Sequence, residues 1–170
     1  MRHLILIGFM GSGKTSLGKR LARALNRPFV DTDQRVERAA GKKISDIFRQ
    51  EGEEGFRRRE TQALAQLREE KKPCVISVGG GLPVQPQNHL LLEQLGTVIY
   101  LEAPVEVLEQ RLAGDKTRPL LEGGDLHSRI VKLMGEREAI YQEVADLILQ
   151  TGGKTFEELI AEIKKRTETL

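Results

Sequence analysis

Gly8-Phe9-Met10-Gly11-Ser12-Gly13-Lys14-Thr15 constrains this chain more than any other segment, because it satisfies G-x-x-x-x-G-K-[ST] in full. An apolar branched run, Leu4-Ile5-Leu6-Ile7, precedes it, and Leu17, Leu21 and Leu25 follow at i, i+4, i+8. That pattern predicts a strand, a glycine loop and a helix starting near Lys14. Glycines let successive N–H groups turn inward, and the helix N-terminus adds partial positive charge at the same place. In such a loop the Lys14 ammonium reaches β- and γ-phosphates and the Thr15 hydroxyl can ligate Mg2+. The competing reading, a glycine-rich turn with a surface lysine, leaves both flanks unexplained.

Four more short apolar runs recur between helical stretches: Pro28–Val30, Val75–Val78, Thr97–Leu101 and Leu147–Leu149. Continuous apolar strands alternating with helices predict an α/β fold with a mostly parallel sheet covered on both faces. Helical stripes are expected at Phe56, Ala63, Leu64 and Leu67, at Ile130, Leu133, Met134 and Ile140, and from Phe156 to Ile163. Two stretches, about 32–55 and 113–126, lack a strong core period and read as inserts that carry moving parts of a site.

Composition closes several classes. With 27 Lys plus Arg against 25 Asp plus Glu, the net charge is only +2, which argues against duplex DNA or an anionic membrane as partner. Aromatic residues at 4% with no Trp are too few for base-stacking platforms. One cysteine, Cys74, permits no intrachain disulfide and fits a reducing cytoplasm. His3, His89 and His127 lie too far apart in sequence to announce a metal site, and no apolar run has the length of a membrane span. A regulatory GTPase is disfavoured as well: neither Asn26 nor Asn88 is followed by Lys, and no D-x-x-G occurs.

The phosphate acceptor is sought near Asp31-Thr32-Asp33, at the C-terminal end of the second strand, where open parallel sheets hold ligands. Strand alternation would put both carboxylates on one side. One would then serve Mg2+ through water, and the other would orient or deprotonate an attacking hydroxyl. A helix-capping pair is the alternative. Gly79-Gly80-Gly81 after the third strand allows a close backbone approach, or simply a turn. Ser77 stands where many phosphate-loop proteins carry a metal-linked Asp. Of Arg57-Arg58-Arg59, at most one or two can enter a pocket, since neighbours on a helix diverge by about 100°. Arg118, before Pro119 and among glycines, suits a closing lid. Arg137 on a helix defaults to the surface.

Taken together, Gly8–Thr15, Asp31-Thr32-Asp33, Gly55-Phe56-Arg57-x-x-Glu60, Gly79-Gly80-Gly81, Arg118-Pro119-Leu120-Leu121 and Arg137-x-x-x-Tyr141 resemble shikimate kinase in order and spacing, over essentially the whole chain. The resemblance implies a nucleoside-monophosphate-kinase-like three-layer fold with a five-stranded parallel sheet of order 2-3-1-4-5. It implies one kinase domain over 1–170, with a substrate-binding segment at about 32–61 and a lid at about 113–126. It further implies transfer of the ATP γ-phosphate to the 3-hydroxyl of shikimate, in the cytoplasm, by a monomer. Gly11, Ser12, Gly13, Lys14, Thr15, Ser16, Arg111 and Arg118 would meet ATP. Asp33, Arg57, Gly79, Gly80, Gly81 and Arg137 would meet shikimate, with Arg57 and Arg137 on its carboxylate. Asp33 would act as base beside Lys14 and Arg118, Thr15 and Asp31 would serve Mg2+, and Glu60 would orient an arginine. Thr15-Ser16 replaces the family's more common Ser-Thr, and Thr151-Gly152-Gly153-Lys154 departs from the Arg and Pro that relatives often carry by the adenine. Competing readings are a related small-molecule kinase, for gluconate or a nucleoside monophosphate, and a non-catalytic ATP-binding module.

Overall fold

The computed structural model describes residues 2–113 and 125–169. Five parallel strands form one sheet: β1 (His3–Ile7), β2 (Phe29–Asp31), β3 (Val75–Ser77), β4 (Gly96–Glu102) and β5 (Leu147–Gln150), in spatial order β2-β3-β1-β4-β5. This is the expected strand order, and each observed strand lies within one residue of its apolar run. Leu6 registers with Ser77 and with Ile99, and Asp31 also registers with Ser77. The loops leaving β1, β2 and β3 are thereby brought to one edge.

Alternation along β1 divides the core in two. Ile5 and Ile7 join Ile76, Val98 and Tyr100 under residues of α3 (Ile44–Gln66), α4 (His89–Leu95), α5 (Val105–Leu112) and α6 (Leu126–Val144). Leu4 and Leu6 point the other way, with Val75, Ile99 and Leu149, against Leu17 and Leu21 of α1 (Lys14–Ala24) and Leu159 and Ile163 of α7 (Phe156–Thr167). Every residue of β1 is buried. That is why the strand reads as a continuous apolar run: both faces are covered.

The stretch 32–55 is more ordered than its weak period suggests. It contains α2 (Thr32–Ala40) and the first part of α3, which bends where Gly52 adopts φ 72°. These helices share a small core of Val36, Ile47, Phe56 and Ala63. Few apolar positions on each of two short helices leave no long stripe to read. Both α4 and α5, only 7 and 8 residues long, are likewise too short to show a stripe of their own. Among the described residues, no helix is long and apolar enough to cross a membrane.

Candidate active site

Gly8, Gly11 and Gly13 take φ of 150°, 79° and 95°, where a side chain would be strained. Gly13 caps α1 with no side-chain acceptor, and no acid occupies that helix's first turn. The amide-rich end of α1 is therefore left for an anion. Lys14 is buried and its Nζ donates to the carbonyls of Gly8 at 2.8 Å and Phe9 at 2.9 Å. The ammonium lies folded over the loop where phosphate oxygens would replace those carbonyls. From α5, Arg111 Nη1 donates to Gly11 O at 3.0 Å. A cavity of about 560 Å³ opens here, lined by Gly13, Ser16, Arg111, Thr151, Lys154 and Phe156 among others.

At the loop's other flank, Asp31 has two tasks. Its Oδ1 accepts from the N–H groups of Asp33 at 2.9 Å and Gln34 at 3.3 Å, capping α2. Its Oδ2 accepts from the Thr15 hydroxyl at 3.4 Å. The expected strand alternation of Asp31 and Asp33 is not what the chain does, because β2 ends at Asp31 and helix begins at Thr32. Capping and a position at the phosphate loop coexist in one carboxylate. An alcohol and a carboxylate oxygen side by side are the hard donors that Mg2+ takes, alongside water and phosphate. Ser77 is buried in β3.

A second cavity, of about 610 Å³, lies on the acceptor side. It is lined by Asp31 and Asp33, by Arg57 and Glu60 of α3, by Gly79–Gly81, and by Arg137 of α6. Of the three consecutive arginines, only Arg57 enters. Its Nη1 bonds Glu60 Oε1 at 2.8 Å and its Nη2 bonds Glu53 Oε1 at 3.2 Å. Arg58 stays in solvent opposite Glu54, and Arg59 pairs with Glu51. Arg137 is only 5% exposed, which corrects the surface position that is the default for an arginine on a helix. Its guanidinium carbon lies 5.8 Å from the centre of the Phe9 ring. Ile130, Met134, Arg137 and Tyr141 recur at helical spacing on the buried face of α6, so the position lies on the apolar stripe although the residue type points to solvent.

The glycines are fitted to these charges. A β-carbon at Gly79 would stand 2.8 Å from both Asp33 Oδ1 and Glu60 Oε2, and one at Gly81 would collide with the Arg57 guanidinium. One at Gly80 would stand 3.3 Å from Arg137 Nη1. Burial pushes the Glu60 carboxyl up to about 7, against the pull of Arg57, with the nearby Asp33 adding to the rise. Among the described residues, Glu60 Oε2, Arg57 Nε and Arg137 Nη1 are buried without a hydrogen-bond partner. Such atoms are costly unless a ligand satisfies them.

The structure thus brings Asp33, Arg57, Gly79, Gly80, Gly81 and Arg137 around one cavity, and Gly11, Ser12, Gly13, Ser16 and Arg111 around the other. Arg118 and nearly all of the expected lid lie outside the described residues. Sequence reasoning missed Met10, Lys43, Ser45 and Phe48, which also line the acceptor cavity. Their only signal was that they fall in or beside segments already singled out. It also missed the partner of the Tyr141 hydroxyl, which donates to Gly80 O at 2.5 Å.

The shikimate kinase family model matches residues 10–168. The shikimate kinase of Nitrosomonas europaea is 43% identical over 150 residues, covering 88% of this chain and 71% of that protein. That of Francisella tularensis subsp. novicida is 40% identical over 162 residues, covering 95% and 92%. Among solved structures, shikimate kinase from Acinetobacter baumannii in complex with shikimate matches with TM-score 0.94 and 38% identity, covering 99% of this chain and 94% of that one.

Proposed function

This chain belongs to the shikimate kinase family, and from that premise we propose that it transfers the γ-phosphoryl group of ATP to the 3-hydroxyl of shikimate, giving shikimate 3-phosphate and ADP. The observation that carries this reading is the pair of buried guanidiniums, Arg57 and Arg137, sharing a cavity with Asp33 and the three glycines on one side of the phosphate loop. Arg57 Nε and Arg137 Nη1 are donors in want of an acceptor, and a planar carboxylate is the group that planar guanidiniums grip. Gly80 and Gly81 offer backbone N–H groups beside them.

Asp33 accepts the proton of the attacking hydroxyl as its oxygen bonds to the γ-phosphorus and the bond from phosphorus to the β,γ-bridging oxygen breaks, that electron pair leaving with ADP. Lys14 exchanges its two loop carbonyls for β- and γ-phosphate oxygens and follows the charge as it moves. Arg111 borders the nucleotide cavity, and Arg118, on a lid over about 113–126, supplies a further cation to the phosphates. Mg2+, held by Thr15 and, through water, by Asp31, would neutralise charge on the β- and γ-oxygens. Residues 1–170 act as one kinase unit, a monomer in the cytoplasm, with 32–61 as the acceptor-binding segment.

Incubation with Mg-ATP and a panel of shikimate, gluconate and nucleoside monophosphates, followed by phosphorus NMR, tests the reading. Shikimate is expected to be phosphorylated. Transfer to gluconate or a nucleotide instead would overturn the acceptor assignment, and no transfer at all would leave a non-catalytic ATP-binding module.

A further inference from the structure

Tyr141 lies in the core of α6, with its ring centre 5.2 Å from that of Tyr100. It is not among the residues lining either cavity. Its hydroxyl donates to the carbonyl of Gly80, 61 positions away along the chain. The other carbonyls of that loop are also taken: Gly79 O accepts from Leu82 N at 3.1 Å, and Gly81 O from Val84 N at 3.3 Å. Gly79 N–H donates to Thr32 Oγ1 at 3.3 Å. Among the described residues, the N–H groups of Gly80 and Gly81 are left without a protein partner.

Within a trans peptide the C=O and the following N–H point in opposite directions. Pulling Gly80 O towards Tyr141, in the core, turns the N–H of Gly81 away from the core. On that side the glycines line the acceptor cavity, with the Arg57 guanidinium against Gly81. The same peptide is packed against the phosphate loop, since a β-carbon at Gly80 would meet Met10 N at 3.4 Å and Gly8 O at 3.5 Å. Glycine at three successive positions leaves this backbone nothing of its own to set its orientation.

We propose that Tyr141 is a positioning residue for the acceptor: its hydroxyl holds the Gly80–Gly81 peptide so that the Gly81 N–H is presented to an acceptor oxygen. The inference rests on the acceptor reading above. Tyr141→Phe keeps the ring and removes the hydroxyl, which donates to Gly80 O and also interacts with the Arg137 guanidinium, so the Gly81 amide signal, and not KM alone, reports on the peptide. The substitution is expected to raise the KM for shikimate about tenfold, with the KM for ATP within twofold of the parent. In the parent, the Gly81 amide signal in nitrogen-resolved NMR is expected to move on saturation with shikimate, and in the variant to respond less.

A rise in shikimate KM of less than threefold overturns the proposal. So does a parallel rise in both KM values, which is what a merely structural role would produce. Should the variant not fold, the parent decides alone: a Gly81 amide indifferent to shikimate sinks the idea. A parent that turns over shikimate while the variant matches it defeats this inference only, whereas a parent that phosphorylates no shikimate defeats the acceptor reading itself.

Discussion

On the nucleotide side of the phosphate loop, Lys14, Arg111, Thr151 and Lys154 each hold a protein partner, whereas across the loop Glu60 Oε2, Arg57 Nε and Arg137 Nη1 are buried with none among the described residues. The first cavity joins the phosphate loop to Arg111 of α5 and to residues 151–159, and its cationic side chains already hold protein partners. The second is assembled from β2, α3, the loop after β3 and α6, and it keeps desolvated polar atoms in waiting. Their cost falls on the folded protein and is offset when a ligand supplies the missing partners. Ser12 Oγ, unpartnered beside the nucleotide cavity, is the exception on the first side.

The sharpest break of this contrast is Asp33→Asn. Turnover is expected to fall about a thousandfold with the fold and nucleotide binding intact, as the loss of a positioned general base predicts. A coupled ADP-release assay with parallel nucleotide titration measures both, and near-normal turnover would remove Asp33 from the role of base. Next in size is Arg137→Ala, expected to raise the KM for shikimate about a hundredfold through loss of a buried charged contact. The KM for ATP should change little. Equal losses on both sides would mean that the two cavities are not separable.

Glu60 tests the stored desolvation through pH. Its carboxyl has an ordinary value of 4.5 and lies at about 7 in the folded chain. Between those values the folded state holds a proton that the unfolded state has released, so Glu60's contribution to stability is present at low pH and is lost as pH rises through about 7. Urea unfolding at pH 5 and pH 7.5 should show that loss in the parent, on the order of 2 kcal/mol. In Glu60→Gln the difference between the two pH values should shrink, and an unchanged difference would place the proton elsewhere. The smallest effect is expected at Thr155, which lines the nucleotide cavity and caps α7 in a reciprocal pair with Glu158. Thr155→Ala should lower the melting temperature by about 3 °C while leaving shikimate KM untouched, and a shift in that KM would join the two regions after all.

The two cavities also differ in how far they could be read from residues alone. The phosphate loop is legible because its glycines, lysine and hydroxyl act through a backbone conformation confined to eight consecutive positions. The strands are legible too, since strands covered on both faces are mostly apolar. On the acceptor side, the Arg57-Arg58-Arg59 run offered no means of choosing Arg57, and Arg137 looked like a surface residue. Arg57 is singled out by its burial and by the Glu60, Glu53 and Gly81 contacts that receive its guanidinium. The resemblance to shikimate kinases named both arginines without explaining their burial.

By itself the sequence determined a strand, a phosphate loop and a helix at its start, a parallel α/β sheet around them, and a family. All of these rest on local conformation or on short periods. Only the tertiary structure decided that Asp31 caps α2 while touching Thr15, and that the Tyr141 hydroxyl anchors Gly80. Those outcomes depend on strand register and on how α3 and α6 pack over the sheet, contacts between residues tens of positions apart whose spacing along the chain carries no record of their distance in space.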